Sequence, residues 1–361
     1  MVDHRPARHA ALLASLGAHD IDALLVTHLP NVRWLTGFTG SSALVLVGPH
    51  RTTLLTDFRY ATQAPQEVGG AAEVVIERSN LWERLRRLLA DDPPRALAVE
   101  SHVLSVRDAA RLDGAVRQPP VPLVDLVEEL RQVKDEDEVA AIRSAADLAQ
   151  DALAEILPSI VAGAREIDVA ARLESALRRR GSEWHPFPTI LASGPRGALP
   201  HGRTSTRAIS SGELVVIDFG AQVDGYCSDI TRTVMVGRPD ERQRTVYDLV
   251  EQAQRRAREG IRAGMTGKEA DALARDVIAS RGYGEAFGHS LGHGLGLEVH
   301  EAPRLAVTAE APLPAGAVVT IEPGVYLPGW GGVRIEDDVW LGPDGPVLLT
   351  DGRTDLIILG A

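Results

Sequence analysis

Cysteine is almost missing from this sequence of 361 residues, and aromatic residues are scarce. The single cysteine, Cys227, excludes a disulfide within the chain and is typical of a protein from a reducing cytoplasm. Aromatic residues make up 4% of the chain, too few for the rows of stacking side chains that bind single-stranded nucleic acid. The net charge is −12, from 38 basic and 50 acidic side chains, so a phosphate backbone would be repelled. We therefore expect no nucleic-acid partner.

Long apolar runs are absent from the sequence as well. The run at 43–47 is typical of the short ones, whereas a membrane-spanning helix needs roughly 18–20 apolar residues. The first ten residues are polar and lack the apolar centre of a signal peptide. We expect no membrane partner and a cytoplasmic location. The composition, 44% hydrophobic and 24% charged, is ordinary for a globular protein, and the length predicts two domains.

Helical and strand patterns alternate in the first third of the chain. Apolar periodicity predicts helices at 9–16, 81–89 and 106–112 and strands at 23–27, 43–47, 52–56 and 96–99. This alternation is typical of an α/β domain with a mixed sheet. Three prolines between Gln118 and Pro122 then interrupt regular structure. We place the domain boundary near Arg131, which divides the chain into residues 1–130 and 131–361.

The second domain contains an internal repeat. Residues 160–163 and 261–264 share the pattern Ile-x-Ala-Gly, and each precedes a predicted helix of 17 residues bounded by glycines. The apolar runs 211–220 and 315–324 also match, and they end in Ile-Asp-Phe-Gly and Ile-Glu-Pro-Gly. The offsets of 101 and 104 residues describe one duplication, which predicts two similar halves related by a pseudo-twofold axis.

Each matched run carries a carboxylate near its end, Asp218 in the first half and Glu322 in the second. In the first half, Asp224-Gly225 is a strong signal for a two-residue hairpin turn. With the turn there, Asp218 lies opposite Thr231, and Asp229 becomes the diagonal neighbour of Asp218 on the same face. Diagonal Cβ atoms are roughly 7–8 Å apart or less, so both carboxylates can reach one ion or two adjacent ions.

The second half repeats this arrangement with Glu322 and Glu336. Glu336 lies in a predicted strand over 333–341, where Arg334 shares its face. Four carboxylates in one buried site would repel one another unless cations neutralise them, and two divalent ions would balance the four charges. The alternative is four solvated acids at strand ends, although three of the four lie in β-branched runs.

Histidines cluster beside the second carboxylate strand. His289, His293 and His300 lie among the glycines of segment 287–301, and glycine permits a close approach of the backbone. Imidazole beside carboxylates favours manganese, cobalt, iron or zinc over magnesium. His201 lies in a predicted turn. The remaining histidines have no chemical context in the sequence, and we interpret them as surface or core residues: His4, His9, His19, His28, His50, His102 and His185.

Five segments resemble, in order, the metal-ligand motifs of the pita-bread metallopeptidases. They are Ile217-Asp218-Phe219-Gly220, Ser228-Asp229-Ile230-Thr231-Arg232-Thr233, Gly292-His293-Gly294-Leu295-Gly296, Ile321-Glu322-Pro323-Gly324 and Arg334-Ile335-Glu336-Asp337. The chain is similar over essentially its whole length to the Xaa-Pro peptidases, that is, aminopeptidase P and prolidase. Residues 31–38 and 56–60 resemble their creatinase-like N-terminal domain, and residues 133–145 resemble the entry to their catalytic domain. The resemblance implies an α+β protein, in which a creatinase-like α/β domain precedes a pseudo-twofold pita-bread catalytic domain.

The resemblance also implies a ligand set for two divalent ions per chain, with manganese first and cobalt or zinc as alternatives. Asp218 and Asp229 would bind one ion and His293 the other, with Asp229, Glu322 and Glu336 shared or bridging. A bridging hydroxide would attack the carbonyl group before proline.

Further roles follow from the same resemblance. Glu322 would take the proton of the attacking water, and His289 and His300 would stabilise the tetrahedral intermediate or bind the substrate carbonyl. His201 would contact the substrate and help to move protons, and Arg334 would orient a ligand carboxylate. The substrates would be proline-containing peptides, and the chain would form a homodimer. Candidates for an apolar wall against the proline ring are Trp184, Phe187, Tyr226 and Tyr326.

The sequence leaves several functions open. It favours an aminopeptidase that cleaves an N-terminal residue from proline, and the alternative is a prolidase restricted to dipeptides. Such a restriction requires a group that captures the free carboxylate, and Arg33, Arg51 and Arg59 of the first domain are available. Methionine aminopeptidase uses similar ligands but does not need the first 130 residues. The remaining alternative is a non-catalytic module that binds peptides with a metal-free pita-bread domain.

Overall fold

The computed structural model describes residues 2–360, which fold into two compact units. The first unit ends at Arg131 and the second begins at Gln132. Across the described residues, no helix combines the length and the apolar character needed to cross a membrane.

Helices and strands alternate through the first unit. Its helices are α1 (Arg5–Ala18), α2 (Leu29–Thr36), α3 (Gln63–Val68), α4 (Leu81–Asp91), α5 (Val106–Ala109) and α6 (Leu126–Arg131). Its strands are β1 (Ala23–Val26), β2 (Ala43–Val47), β3 (Thr52–Asp57), β4 (Glu73–Glu77), β5 (Leu97–Glu100) and β6 (Val121–Leu123). They form one sheet in the order β4-β3-β2-β1-β5-β6. β2 pairs antiparallel with β1 and β3, and the other neighbours are parallel, so the predicted mixed sheet is confirmed.

Periodicity predicted α1, α4, α5, β1, β2, β3 and β5 of this unit, and it missed α2, α3, α6, β4 and β6. The predicted strand at 43–47 matches β2, and the predicted helix at 81–89 matches α4, whose Leu85 and Leu89 are fully buried. α3 has six residues including Pro65, and β4 is an edge strand with glutamate at both ends. α3 is too short to show a helical period in the sequence, and the two glutamates leave only three apolar residues in β4.

Three of the four long helices described in the second unit begin at local capping signals. The four helices are α7 (Glu136–Ile156), α8 (Glu166–Arg180), α9 (Glu241–Gly260) and α10 (Gly267–Ser280). Asp135, Asp240 and Thr266 each accept a hydrogen bond from a backbone N–H three residues ahead and complete a capping box before α7, α9 and α10.

Strands of the second unit form two larger sheets and two hairpins. The first half contributes β7 (Ile190–Ser193), β8 (Glu213–Phe219), β9 (Gln222–Val223), β10 (Tyr226–Cys227) and β11 (Ile230–Val236). The second contributes β12 (Gly292–Gly294), β13 (Glu301–Leu305), β14 (Val318–Ile321), β15 (Gly324–Leu327), β16 (Gly331–Arg334), β17 (Asp337–Gly342), β18 (Gly345–Leu348) and β19 (Ile357–Leu359). The sheets run β19-β11-β8-β7 and β13-β12-β14-β17-β18, and β9-β10 and β15-β16 are the hairpins.

Equivalent hydrogen bonds support the internal duplication. The backbone N–H of Gly163 donates to Ile209, and that of Gly264 donates to Leu313, at 2.8 Å in each case. The helices that follow are shorter than the predicted 17 residues, with 15 in α8 and 14 in α10. The reason is that Arg165 and Thr266, just before the helices, are still extended and bridge to other segments.

The predicted continuous strand over 333–341 is wrong. β16 ends at Arg334 and pairs with β15, whereas β17 starts at Asp337 and pairs with β14. The chain therefore changes sheets between these strands, and Glu336 lies at the change. A β-branched run alone does not reveal such a change, because it depends on which partner strand each part finds.

Candidate metal centre

The two halves present their carboxylates at equivalent places. In the first half, Asp218 is the penultimate residue of β8, and Asp229 directly precedes β11, the antiparallel partner of β8. Asp218 lies opposite Thr231, as the Asp-Gly turn predicted. In the second half, Glu322 directly follows β14, and Glu336 directly precedes β17, the antiparallel partner of β14.

His293 reaches these carboxylates from β12. Its Nε2 lies 3.8 Å from Asp229 Oδ2 and 3.5 Å from Glu322 Oε1. One ligand atom each from Asp229, His293 and Glu336 lie within 4.8 Å of one another. The flanking glycines make this approach possible, because a Cβ on Gly292 would lie 2.0 Å from the carbonyl oxygen of Thr320. The structure therefore brings four of the five predicted ligands together, namely Asp229, His293, Glu322 and Glu336.

The protonation state of His293 supports a bound cation. Its Nδ1 donates to the carbonyl oxygen of Gly294 at 3.0 Å, because a carbonyl can only accept. Burial lowers the pKa of His293 to about 4, so the ring is neutral at pH 7 and Nε2 carries a lone pair. This lone pair faces the carboxylate oxygens of Asp229 and Glu322. Such an arrangement is unfavourable unless a metal ion or a carboxyl proton lies between them.

Buried oxygen atoms without partners point to the same conclusion. Among residues 2–360, Asp218 Oδ1, Asp229 Oδ1 and Glu336 Oε1 are buried and find no hydrogen-bond partner. Buried carboxylate oxygens are normally hydrogen-bonded or bound to metal. The donor set thus fits divalent metal ions.

Electrostatics show how costly the cluster is without cations. Burial and then the charges of Glu336 and Asp218 raise the pKa of Asp229 well above its ordinary value. Burial and the charge of Glu336 do the same for Glu322, and burial and Asp218 raise the pKa of Glu336 to about 8. Burial also raises the pKa of Asp218. Protons would therefore replace metal ions in a metal-free chain.

Arg334 and Thr231 hold the ligand carboxylates in place. Arg334 donates to Asp218 Oδ2 at 2.5 Å and to Thr231 Oγ1 at 3.0 Å. Thr231 Oγ1 in turn donates to Glu336 Oε2 at 2.6 Å. The backbone N–H of Asp229 donates to Asp338 Oδ2 at 3.2 Å. These bonds leave one oxygen of Asp218 and one of Glu336 free to bind an ion.

A hydrogen-bond chain runs from Arg334 to His289. Arg334 donates to Tyr326 Oη at 2.7 Å, and Tyr326 Oη lies 2.9 Å from His289 Nε2. His289 Nδ1 contacts the carbonyl oxygen of Ser290 at 2.8 Å and must donate there. Burial lowers the pKa of His289 to about 4, so its Nε2 accepts from Tyr326. The sequence suggested Tyr326 only as part of an apolar wall. In the structure it is buried, and its hydroxyl links Arg334 to His289 by hydrogen bonds.

A cavity of about 1550 Å³ opens onto the cluster. His201, His289, His293 and His300 all line it, together with Arg334 and all four predicted carboxylates. The rings of His293 and His300 meet edge to face with centroids 4.4 Å apart, and burial lowers the pKa of His300. Every predicted site residue therefore lies on this cavity.

Of the other three aromatic residues suggested as an apolar wall against the proline ring, one lines the cavity and two do not. Phe187 lines the cavity. Tyr226 is buried, and its hydroxyl donates to Glu138 at 2.7 Å. Trp184 is 66% exposed and is not among the residues that line the cavity.

Arg304 and Arg275 belong to the site but were missed in the sequence. Arg304 lies opposite His293 in the antiparallel pair of β12 and β13, so both side chains leave the same face. It lines the cavity and is exposed. Arg275 donates to the carbonyl oxygen of His289 at 2.7 Å and pairs with Asp271 at 2.5 Å, which supports the segment that carries His289. No local signal separates these arginines from the chain's many others.

The comparisons with known proteins agree with this site. The model of metallopeptidase family M24 matches residues 140–343, and that of the Creatinase/Prolidase N-terminal domain matches residues 8–133. The Xaa-Pro dipeptidase of Pyrococcus horikoshii is 36% identical over 96% of this chain and 97% of its own. Among solved structures, the Xaa-Pro dipeptidase from Bacillus anthracis has a TM-score of 0.95 at 40% identity, covering 98% of this chain and 100% of the other. The X-Pro aminopeptidase from Thermotoga maritima has a TM-score of 0.90 at 38% identity, covering 96% and 100%.

These matches confirm the resemblance and the α+β fold with a creatinase-type N-terminal domain and a pita-bread domain. The family also implies divalent metal ions, which the donor set fits. This chain belongs to metallopeptidase family M24 and is a hydrolase.

Proposed function

We propose that this chain is a metal-dependent Xaa-Pro dipeptidase. The observation that carries the proposal is the neutral His293 facing buried carboxylates, in a chain similar over nearly its whole length to proteins named Xaa-Pro dipeptidase. Residues 1–130 are the creatinase-like domain, and residues 131–361 are the catalytic domain. The proposal therefore prefers the dipeptidase, which was the alternative in the sequence interpretation, to the aminopeptidase that the sequence favoured.

Two divalent ions fit the donor set best. Their ligands are Asp218, Asp229, His293, Glu322 and Glu336. Four carboxylates with one imidazole suit manganese, and cobalt or zinc are alternatives. When bound, such ions act as Lewis acids and lower the pKa of water. Residues of the chain itself move the proton and bind the substrate.

Glu322 is the carboxylate that accepts the proton of the attacking water. Its side chain is 17% exposed, more than those of Asp218 at 12% or Asp229 at 7%, and it lines the cavity. Within residues 2–360, the one hydrogen bond to its side chain is a weak one from Thr320 Oγ1, at 3.4 Å from Oε1. Glu322 is therefore the ligand most free to move a proton.

His300 donates to the substrate carbonyl. No hydrogen bond to its imidazole is found among the described residues, and it lies on the cavity beside His293. His289 plays a different part, because its Nε2 already accepts from Tyr326. It fixes the hydroxyl of Tyr326 and, through it, Arg334. His201 contacts the substrate from its own loop. The preceding residue, Pro200, accepts a hydrogen bond from Arg334 at its carbonyl oxygen, at 3.1 Å.

Arg304 captures the free carboxylate of a dipeptide. Its charge acts on both His293 and His300, and no side-chain hydrogen bond or ion pair occupies it within residues 2–360. Arg51 and Arg59 face carboxylates of their own unit instead, with Arg59 2.7 Å from Asp57. A proline nitrogen carries no hydrogen, so the cavity must not require a donor there. The pyrrolidine ring needs an apolar wall, which Phe187 supplies.

A substrate-length assay tests the proposal. The manganese-loaded chain is given Ala-Pro, Ala-Pro-Ala and Met-Ala-Ala, with Asp229→Ala as the inactive control. We expect the highest kcat/KM on Ala-Pro. Equal or faster cleavage of Ala-Pro-Ala would instead support an Xaa-Pro aminopeptidase, which the similarity to the Thermotoga maritima structure keeps as the second candidate.

Two other outcomes of the same assay are informative. Cleavage of Met-Ala-Ala alone would support a methionine aminopeptidase, although the creatinase-type match over residues 8–133 disfavours it. No cleavage of any peptide by the metal-loaded chain would support a binding module.

Assembly and location complete the proposal. We propose a homodimer, because twofold dimers are the commonest oligomers, and light scattering should then give twice the 38.7 kDa of one chain. We propose the cytoplasm from the single, buried cysteine, which cell fractionation tests.

A further inference from the structure

The first unit contains a second cluster of metal-binding side chains that the proposed function does not use. His28 directly precedes α2, His102 follows β5, and Glu128 lies in α6. One ligand atom from each lie within 4.8 Å of one another. All three were interpreted from the sequence as surface or core residues or were not considered. Their separations, 100 residues between His28 and Glu128 and 26 between His102 and Glu128, hide the cluster in the sequence.

Both imidazoles converge on one carboxylate oxygen. His28 Nδ1 lies 3.2 Å and His102 Nε2 lies 3.1 Å from Glu128 Oε1. Ligands at about 2.0–2.1 Å from a tetrahedral zinc ion lie about 3.3 Å from one another, so small shifts would admit the ion. The two rings are nearly perpendicular, at 80°, and do not stack. Their orientation is set by the shared oxygen.

The surroundings favour a cation. Glu128 Oε2 is buried and finds no hydrogen-bond partner among the described residues, so a further ligand atom is present. Asn31 donates to Glu128 Oε1 at 2.6 Å and to Glu100 Oε1 at 2.7 Å, and Arg131 donates to Asn31 Oδ1 at 2.6 Å. Asn31 thereby fixes the position of Glu128 and links it to a second carboxylate. Such outer contacts orient the ligands of metal sites.

The cluster is also accessible. The side chains of His28, His102 and Glu128 are 20%, 24% and 18% exposed, so an ion can enter from solvent. Asp125 Oδ1 lies 3.6 Å from His102 Nε2 on the outer side and can act as a fourth ligand, as can water.

We propose that His28, His102 and Glu128 form a zinc-binding site in the first unit, separate from the carboxylate cluster of the second. Two imidazoles and one carboxylate are a common ligand set for zinc, and they suit it better than manganese, magnesium or calcium. The bound ion joins three distant segments of the unit. It therefore stabilises the folded unit, because a ligand that binds only the folded state shifts the unfolding equilibrium.

Zinc content measured on the full chain tests the site. Wild type, His102→Ala and Glu128→Gln are dialysed against micromolar zinc and analysed by mass spectrometry. His50→Ala is the matched control, because it removes an exposed histidine of the same unit. We expect His102→Ala and Glu128→Gln each to lose one zinc per chain relative to wild type and the control. Equal zinc content in all four proteins would overturn the proposal.

Three further measurements separate this site from the other metal centre and from a folding defect. Glu336→Ala removes a ligand of the other centre and should retain this zinc, so failure of the proposed function and failure of this site are distinguishable. Diffraction data at the zinc edge from wild-type crystals should show an anomalous peak between His28 Nδ1, His102 Nε2 and Glu128 Oε1. Circular dichroism in chelator checks folding, and if Glu128→Gln fails to fold, the result with His102→Ala, an exposed turn residue, decides.

Discussion

Replacement of Arg304 by methionine should weaken the hydrolysis of dipeptides and leave longer substrates almost unchanged. Arg304 lies on the face of His293, lines the cavity and has no carboxylate partner within residues 2–360. A substrate with a free carboxylate next to proline would supply that partner. Methionine keeps much of the length of the side chain and removes its charge.

The expected size follows from the exposure of Arg304. A hydrogen bond to a charged group contributes about 1.5–3 kcal/mol, which corresponds to roughly 10- to 150-fold in kcat/KM. Because the side chain is exposed and therefore screened by solvent, we expect the lower part of that range, about tenfold on Ala-Pro.

The assay compares Ala-Pro with Ala-Pro amide, which lacks the free carboxylate. Wild type should prefer Ala-Pro, and Arg304→Met should reduce this preference mainly by raising KM. Arg304→Lys should retain part of it. Arg203→Met, which removes another arginine of the same cavity, is the control. Equal losses on both substrates, or no loss on either, would refute the role of Arg304.

Three further predictions concern the carboxylate cluster. Asp229→Ala or Glu336→Ala should remove metal and activity together, and turnover retained in either variant would contradict the ligand assignment. His300→Ala should lower kcat by about 10²–10³-fold while metal analysis shows unchanged content, and an unchanged kcat would contradict its contact with the carbonyl. In chelator, the folded chain holds protons on Asp229, Glu322 and Glu336, whose pKa values are raised, that of Glu336 from 4.5 to about 8. The free energy of unfolding should therefore fall as pH rises from about 6.5 to 8, because above the ordinary histidine pKa of 6.5 the lowered pKa values of His289 and His293 no longer make stability rise with pH. The manganese-loaded chain should lack this fall, and stability of the chelated chain that rises over that range would contradict the burial of these carboxyl groups.

Local signals were enough to predict part of this site. The register of Asp218 against Thr231 follows from the Asp-Gly turn, because a two-residue turn fixes which residues of a hairpin face each other. The duplication placed Glu322 at the position equivalent to Asp218, because the matched runs 211–220 and 315–324 align these two residues. Both features depend on short stretches of chain.

Features that depend on distant contacts could not be predicted. The break between β16 and β17 arises because they pair with different strands. The hydrogen bond between His289 Nε2 and Tyr326 Oη joins residues that are 37 positions apart. Arg304 becomes part of the site only through its pairing with His293. In each case the sequence shows which side chains are present, but it does not show which distant residues they contact.

Anomalous diffraction from crystals of the manganese-loaded chain tests the central claim most directly. Peaks at the manganese edge should lie between the carboxylates of Asp229 and Glu336 and the Nε2 of His293. Manganese absent from this position in a fully loaded crystal, with hydrogen-bonded carboxyl groups in contact there instead, would contradict the account.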